Sequence, residues 1–100
     1  MFRYQIVIEY EGSNFSGWQI QKKGKTIQGL IQKKISKLLK QKIILQGAGR
    51  TDSGVHAKAQ SAHFDCSNKI NYLNKFLKSI NYFLNKDGIS ILQIKKKNKN

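Results

Sequence analysis

Residues 47–56, GAGRTDSGVH, place an arginine, an aspartate, two hydroxyls and a histidine among three glycines. Glycines permit tight turns and close approach of a ligand to the backbone. The carboxylate of Asp52 could act as a nucleophile or a base, and the guanidinium of Arg50 would hold it ionised. The alternative is a surface turn in which Arg50 and Asp52 pair with little gain in stability. These residues by themselves leave both interpretations open.

Several familiar motifs do not fit this segment. The spacing from Gly49 to Gly54 matches a Walker A loop, but the Lys and Ser/Thr that must follow are absent. A dinucleotide-binding fingerprint starting at Gly47 would need a glycine in place of Asp52. A Ser53–His56 nucleophilic pair lacks any identifiable third group to orient the histidine.

The tripeptide Asp52-Ser53-Gly54 does match the signature of aspartic proteases, and retroviral-type members are chains of about this length. Such proteases are nearly all-β dimers in which two carboxylates share one proton. This sequence instead carries two amphipathic helical patterns, and Arg50 would keep Asp52 ionised. The protease interpretation is therefore less favoured.

The formal net charge of +14 over 100 residues indicates a polyanionic partner, of which nucleic acid is the commonest. A lysine-biased solvated surface would give the same balance, because seventeen of the nineteen basic residues are Lys. The two arginines, Arg3 and Arg50, stand out in such a chain, since a guanidinium offers a planar fork of donors.

The lone cysteine, Cys66, excludes an internal disulfide and favours a reducing, cytoplasmic environment. Its place in an alternating strand pattern indicates a small core residue rather than a nucleophile. The N-terminus lacks the apolar stretch of a signal peptide. No apolar run approaches the roughly 20 residues needed to cross a bilayer. We therefore expect a soluble protein without a membrane partner.

Hydrophobic periodicity supplies the elements that must position the glycine-rich segment. Thr26 is a plausible helix N-cap, and Asp87-Gly88 is a plausible turn. The pattern predicts strands over 2–10, 43–46, 60–66 and 89–94, helices over 27–39 and 70–84, a long loop over 11–25 and a polar tail over 95–100 that frays. In the second helix the apolar stripe includes Phe83.

The element order is therefore β-α-β-β-α-β. Right-handed crossovers make this the ferredoxin-like α+β arrangement, in which two helices pack on one face of a four-stranded antiparallel sheet. RNA-binding domains often use this topology, but so do many unrelated proteins. A non-catalytic RNA-binding module thus remains an alternative, although it gives no reason for Arg50-Thr51-Asp52.

Two motifs together resemble one known family. Residues 49–57, GRTDSGVHA, are similar to the catalytic motif of the tRNA pseudouridine(38–40) synthases. Residues 12–21, GSNFSGWQIQ, resemble that family's Gly-x-x-(aromatic)-x-Gly-Trp-Gln-x-Gln segment. Glu11, where Asp is often found, and Ser53, where Ala is found, are minor departures. The likeness extends over essentially the whole chain.

The resemblance implies an isomerase that converts uridine to pseudouridine at positions 38–40 of the tRNA anticodon stem-loop, without cofactor or metal. It implies Asp52 as the catalytic carboxylate. The residues expected to contact RNA are Arg50, Thr51, Ser53, His56, Gln19, Gln21, Lys22, Lys23 and Lys25. Those expected to shape the two loops are Gly12, Phe15, Gly17, Trp18, Gly49 and Gly54.

Members of this family are usually more than twice this length, form homodimers, and complete the cleft with a second, similar sheet domain. We therefore expect residues 1–100 to be the N-terminal domain of such an enzyme, with the second domain absent. A fragment of this kind should have little or no synthase activity alone. The sequence does not distinguish which of the three uridines is preferred, nor whether Asp52 attacks or abstracts a proton.

Overall fold

The computed structural model describes residues 1–11, 26–47 and 57–97 of the chain. Within them the elements follow the predicted order β-α-β-β-α-β. They are β1 (Phe2–Tyr10), α1 (Ile27–Leu39), β2 (Gln46–Gly47), β3 (Ala57–Cys66), α2 (Leu73–Leu84) and β4 (Ile89–Lys97), with a short 3-10 turn, Asn85–Asp87, before β4.

The strands form an antiparallel sheet in the order β2-β3-β1-β4, so that the first strand lies at the centre. Interleaving of the two β-α-β halves in this way is the ferredoxin-like arrangement. The predicted fold class is therefore confirmed.

The core lies between the sheet and the two helices. Inward side chains alternate along β1, as period-2 patterning requires, and meet apolar side chains spaced three or four residues apart on the helices. A fully buried aliphatic side chain contributes roughly 1.5–3 kcal/mol relative to an exposed one. The buried cluster includes Tyr4, Ile6, Ile8, Ile27, Ile31, Ile35, Phe64, Ile80 and Leu84. Both helices thus cover the same face of the sheet.

Helix α1 begins and ends with recognisable caps. The hydroxyl oxygen of Thr26 accepts a hydrogen bond from the amide of Gly29 at 3.2 Å, which confirms the predicted N-cap. At the other end Lys40 adopts a left-handed conformation with φ 55°, and its amide donates to the carbonyl of Ser36. A residue in this conformation ends a helix by turning the chain away.

The strand predicted over 43–46 is largely wrong as a strand, since the ladder with β3 is limited to Gln46 and Gly47. Ile43 and Leu45 are buried as alternation requires, but their amides donate to α1 instead of to a strand. The amide of Ile43 bonds Ser36 Oγ at 3.0 Å, and that of Leu45 bonds Gln32 Oε1 at 3.0 Å. Helix side chains therefore take the bonds that a sheet would have used.

Helix α2 begins at Leu73 rather than at the predicted Ile70. The amide of Ile70 donates to the hydroxyl of Tyr4 at 2.8 Å, which ties this residue to β1 ahead of the helix. The pattern places Phe83 in the apolar stripe of α2, but its side chain is 36% exposed. Ile80 and Leu84 form the buried centre of the stripe, and Phe83 lies at its edge.

Strands β3 and β4 are longer than predicted. Strand β3 starts at Ala57, three residues before Gln60, the predicted start. The expectation that residues 95–97 fray is also wrong, because Lys95, Lys96 and Lys97 pair with Gln5, Tyr4 and Arg3 of β1. Backbone pairing needs no apolar side chain, and lysines on an outer strand keep their charge in water.

The centre of the sheet is irregular near the end of β1. Val7 pairs with Gln93 and Ile8 with Ile91, so that Leu92 is an extra residue in β4 and is 48% exposed. On the other side of β1 the register with β3 also shifts, between Ile8 and Tyr10. Bulges of this kind bend a strand and increase its twist.

Candidate active site

All of the site residues predicted from sequence lie outside the described residues, within 12–25 and 48–56. Their roles remain predictions, whereas the positions from which the two segments leave and return are described. The residues concerned are Asp52, Arg50, Thr51, Ser53, His56, Gln19, Gln21, Lys22, Lys23, Lys25, Gly12, Phe15, Gly17, Trp18, Gly49 and Gly54.

The first segment, 12–25, is held at both ends. At its start the amide of Glu11 donates to the carbonyl of Gly88 at 3.0 Å. Gly88 has φ 79°, a left-handed conformation that glycine adopts without steric cost. At its end Thr26 is buried and caps α1. Both attachment points are therefore fixed to the folded core.

The second segment, 48–56, runs from the end of β2 to the start of β3. Gly47 pairs with Ala62, and Ala57 pairs with Tyr10, the last residue of β1. The start of the first segment and the end of the second thus adjoin one another on neighbouring strands. Residues 12–25 and 48–56 both connect to the same end of the sheet, here called the loop end.

Helix α1 also points its N-terminus toward the loop end. Side chains of α1 accept hydrogen bonds from the extended segment that leads into β2. Ser36 accepts from the amide of Ile43, and Gln32 accepts from the amide of Leu45. Gln28, one turn nearer the start of the helix, bonds the carbonyl of Leu45. The helix therefore runs opposite to residues 43–47 and begins where they finish.

The sheet face opposite the helices is polar and is crosslinked by side chains. Gln5 Nε2 donates to Ser61 Oγ at 2.7 Å, and His63 Nε2 lies 3.0 Å from Gln46 Oε1. We call this surface the open face, since no described helix covers it. In strand register it carries a row of four long polar residues, Gln46, His63, Gln5 and Lys95.

Arg3, one of the two arginines in the sequence, forms an ion pair on the open face. Its Nε and Nη2 donate to the two carboxylate oxygens of Asp65 at 2.9 and 3.2 Å. This hydrogen bonding raises the pKa of Arg3 above its already high ordinary value, so that the guanidinium is permanently charged. Lys97 pairs with Arg3 in register and adds positive charge beside it.

Cys66 is a buried core residue, as predicted. Its thiol donates to the carbonyl of Asn68 at 3.2 Å. Burial, followed by the nearby negative charge of Asp65, raises the pKa of the thiol. A thiol held protonated in this way is a poor nucleophile, because the thiolate is the reactive form.

The described residues contain neither a cluster of metal ligands nor a membrane-spanning helix. Across 1–11, 26–47 and 57–97, no three His, Cys, Asp or Glu side chains are grouped so as to hold a metal ion. Within the same ranges, neither helix is long and apolar enough to span a membrane.

Comparison with known proteins identifies relatives over nearly the whole chain. A family model described as tRNA pseudouridine synthase matches residues 6–99. The chain is 65% identical over 97 residues to a tRNA pseudouridine synthase A of Pelagibacter ubique, covering 97% of this chain and 39% of that protein. It is 46% identical over 96 residues to one of Ehrlichia ruminantium, covering 94% of this chain and 38% of that protein. It is 48% identical over 85 residues to one of Nostoc sp., covering 85% of this chain and 30% of that protein.

The chain therefore spans at most about two fifths of the length of these relatives, 39% in the case of the Pelagibacter protein. The match includes β1 from Ile6, both helices and residues 12–25 and 48–56. On that basis the chain belongs to the tRNA pseudouridine synthase family.

Proposed function

We propose that the protein to which these residues contribute isomerises uridine to pseudouridine in tRNA, with Asp52 as its catalytic carboxylate. Relatives that match this chain bear the name tRNA pseudouridine synthase A. Since the larger part of their length lies outside the match, the activity is assigned to a protein that also contains that part. Residues 1–100 supply the carboxylate and the sheet and helices to which its segment is attached.

The pairing of Tyr10 with Ala57 is the observation that carries the proposal. It brings the start of 12–25 beside the end of 48–56, so that two chemically informative segments connect to adjacent strands. Asp52 stands five positions before Ala57, and Trp18 eight positions after Tyr10. Chain connectivity thus favours one shared site at the loop end over two separate sites.

The proposed reaction needs no redox partner. The bond between C1′ of the ribose and N1 of uracil breaks, and a bond between C1′ and C5 forms. The proton on C5 is lost and N1 gains one, so that substrate and product are isomers. A carboxylate that attacks the sugar, attacks the ring or abstracts a sugar proton must be ionised, which Asp is above its ordinary pKa near 3.9. Arg50, two residues away, would favour that state.

A uridine stacked in a helical stem must first leave it, at a cost of roughly a few kcal/mol. Contacts to phosphates offset such a cost without reading sequence. Lys22, Lys23 and Lys25 are proposed for these contacts near the loop end, and Arg50 for the space vacated by the base.

The finer assignments follow the family resemblance. We propose that the target lies among the three uridine positions 38–40 of the anticodon stem-loop, that neither metal nor cofactor takes part, and that the whole protein is a cytoplasmic homodimer. The aspartic protease interpretation loses its basis, because α1 and α2 form part of an α+β fold and the family is a different one.

The test is a chimaera in which this chain replaces the matched part of the Pelagibacter ubique relative, to which it is 65% identical. Unmodified tRNA is incubated with the chimaera and with its Asp52→Ala and Asp52→Asn variants, and pseudouridine is mapped by chemical labelling and primer extension. We expect modification within the anticodon stem-loop by the chimaera. Both variants should lose at least about a thousandfold in rate while binding tRNA within a few-fold of the parent.

Two outcomes would contradict the proposal. Full turnover by Asp52→Ala would remove the carboxylate from the mechanism. Tight, salt-dependent tRNA binding by a chimaera without any pseudouridine would instead favour the non-catalytic RNA-binding module. The isolated chain is the matched control, and we expect it to turn over little or no tRNA.

A further inference from the structure

We propose that the groove between α1 and α2 binds an unpaired nucleotide of the tRNA, away from the uridine that is modified. The proposal rests on the tRNA substrate proposed above. The groove, called the helix groove, is lined by Lys34, Lys37, Leu38, Lys40 and Phe83, and has a volume of about 260 Å³. Sites for drug-sized ligands begin at roughly 300 Å³, so that a single flat ring system suits this one.

Aromatic rings lie exposed at the groove. Phe83 is 36% exposed and its neighbour Tyr82 is 80% exposed. The two rings meet edge to face, with centroids 5.3 Å apart and an interplanar angle of 87°. Exposed rings of this kind gain from a planar partner, and nucleobases stack on aromatic side chains whatever their sequence.

The rim of the groove is cationic. Lys34, Lys37 and Lys40 follow one another at three-residue spacing around the end of α1, and Lys34 Nζ lies 5.4 Å from the centre of the Phe83 ring. The groove thus combines the apolar side chains of Leu38 and Phe83 with three lysines, which matches a ligand that is flat and apolar in its body and anionic at its edge.

Charge complementarity selects the class of occupant. Neither helix contains an acidic residue: α1 reads IQGLIQKKISKLL and α2 reads LNKFLKSINYFL. Their lysines therefore have no counter-charge within either helix. A second copy of this chain, with its own net charge of +14, is repelled from such a surface. A nucleotide of RNA supplies both the phosphate and the base.

The test measures binding of a fluorescent, unmodified tRNA transcript to the 100-residue chain over a range of salt concentrations. Phe83→Leu removes the aromatic ring but keeps its apolar bulk, and its control is Tyr72→Ala, which removes an aromatic ring that is 74% exposed outside the groove. The double variant Lys34→Gln/Lys37→Gln is compared with Lys75→Gln/Lys78→Gln, which removes equal charge from the exposed side of α2.

We expect Phe83→Leu to weaken binding roughly 5- to 10-fold, within the range for loss of one stacked base, and Tyr72→Ala to change it less than 2-fold. Lys34→Gln/Lys37→Gln should make binding less dependent on salt: the negative slope of log affinity against log salt should become shallower by about 1.5, close to the loss of two phosphate contacts. Crosslinking of 4-thiouridine RNA should recover Tyr82 or Phe83 by mass spectrometry. Circular dichroism verifies the fold of each variant.

Equal losses in the groove variants and in their controls would overturn the proposal, since general attraction to lysine would then explain the binding. Binding of phosphatidylglycerol vesicles that depends on Phe83, with RNA binding unaffected, would assign the groove to a lipid surface instead. The chimaera separates this proposal from the catalytic one. If Asp52→Ala abolishes turnover while Phe83→Leu leaves the KM for tRNA unchanged, the catalytic proposal stands and the proposed nucleotide site in the helix groove is rejected.

Discussion

At the scale of single residues, Cys66 lies at the end of β3 with its side chain fully buried and its thiol bonded to the carbonyl of Asn68. The folded protein holds the thiol proton more tightly than the unfolded chain does, because burial raises the pKa of the thiol. The unfolded chain releases this proton above pH ~8.5. Unfolding therefore becomes easier as the pH rises through that value.

We predict that the free energy of unfolding falls more steeply above pH 8.5 in the parent chain than in Cys66→Ala. The difference between the slopes should approach, but not exceed, about 1.4 kcal/mol per pH unit, the value for one proton. Urea unfolding at pH 7 to 10 measures it. The two proteins differ only at residue 66, so that parallel curves would count against the prediction.

Individual residues also mark where sequence reasoning stops. Arg3 stood out by its type, yet its partner Asp65 is 62 positions away and becomes a neighbour only through the register of β1 with β3. A motif and the chemistry of its neighbours point to Asp52. Its surroundings depend on how residues 12–25 and 48–56 fold together, which periodicity does not specify.

At the scale of elements, the tether between α1 and residues 43–45 departs most from the predicted pattern. Ile43 and Leu45 are both buried, as expected for alternate residues of an extended segment that lies on the core. The predicted strand over 43–46 did not include Ser36 and Gln32 as acceptors of their amide hydrogen bonds, because a strand and a helix-bound extended segment have the same side-chain period. The helices and strands β1, β3 and β4, which have longer patterns, were predicted to within three residues at each end.

We predict that Gln32→Ala destabilises the fold by about 1–3 kcal/mol, because it leaves the amide of the buried residue Leu45 without its acceptor. The control is Gln41→Ala, whose side chain accepts from the exposed residue Ser67 and should matter much less. Urea unfolding measures stability, and amide exchange should report faster exchange at Leu45. Unchanged protection at Leu45 would indicate that residues 43–45 can pair with β3 instead.

At the scale of the whole molecule, β4 forms one edge of the described sheet and presents its backbone groups outward. Lysines at Lys95, Lys96 and Lys97 discourage a second strand from adding there, because another copy would bring the same charges. Lys96 also lies against the core side, with its Nζ 5.2 Å from the centre of the Phe2 ring. Among the described residues no element covers this edge, and the lysines protect it by charge.

We predict that Lys95→Thr/Lys97→Thr increases self-association of the 100-residue chain, since threonine favours strands and carries no charge. Sedimentation velocity over a tenfold range of concentration should detect a larger oligomer fraction than in the parent. Lys75→Thr/Lys78→Thr makes the same change in net charge on α2. Equal association of the two variants would mean that net charge, not the strand edge, controls it.

Leu92, the extra residue of β4, affects the shape of the sheet more than the packing of the core. Without this residue, Ile91 and Ile94 would stand two positions apart, both would still face the helices, and the pairing with β1 would become regular. Core packing therefore does not require Leu92, and a leucine that is 48% exposed contributes little stability through burial. The extra residue instead bends the strands beside the pair Tyr10 and Ile89, close to the loop end to which residues 12–25 and 48–56 connect. A shortened chain lacking Leu92 should keep the same core while losing the bend beside Tyr10 and Ile89.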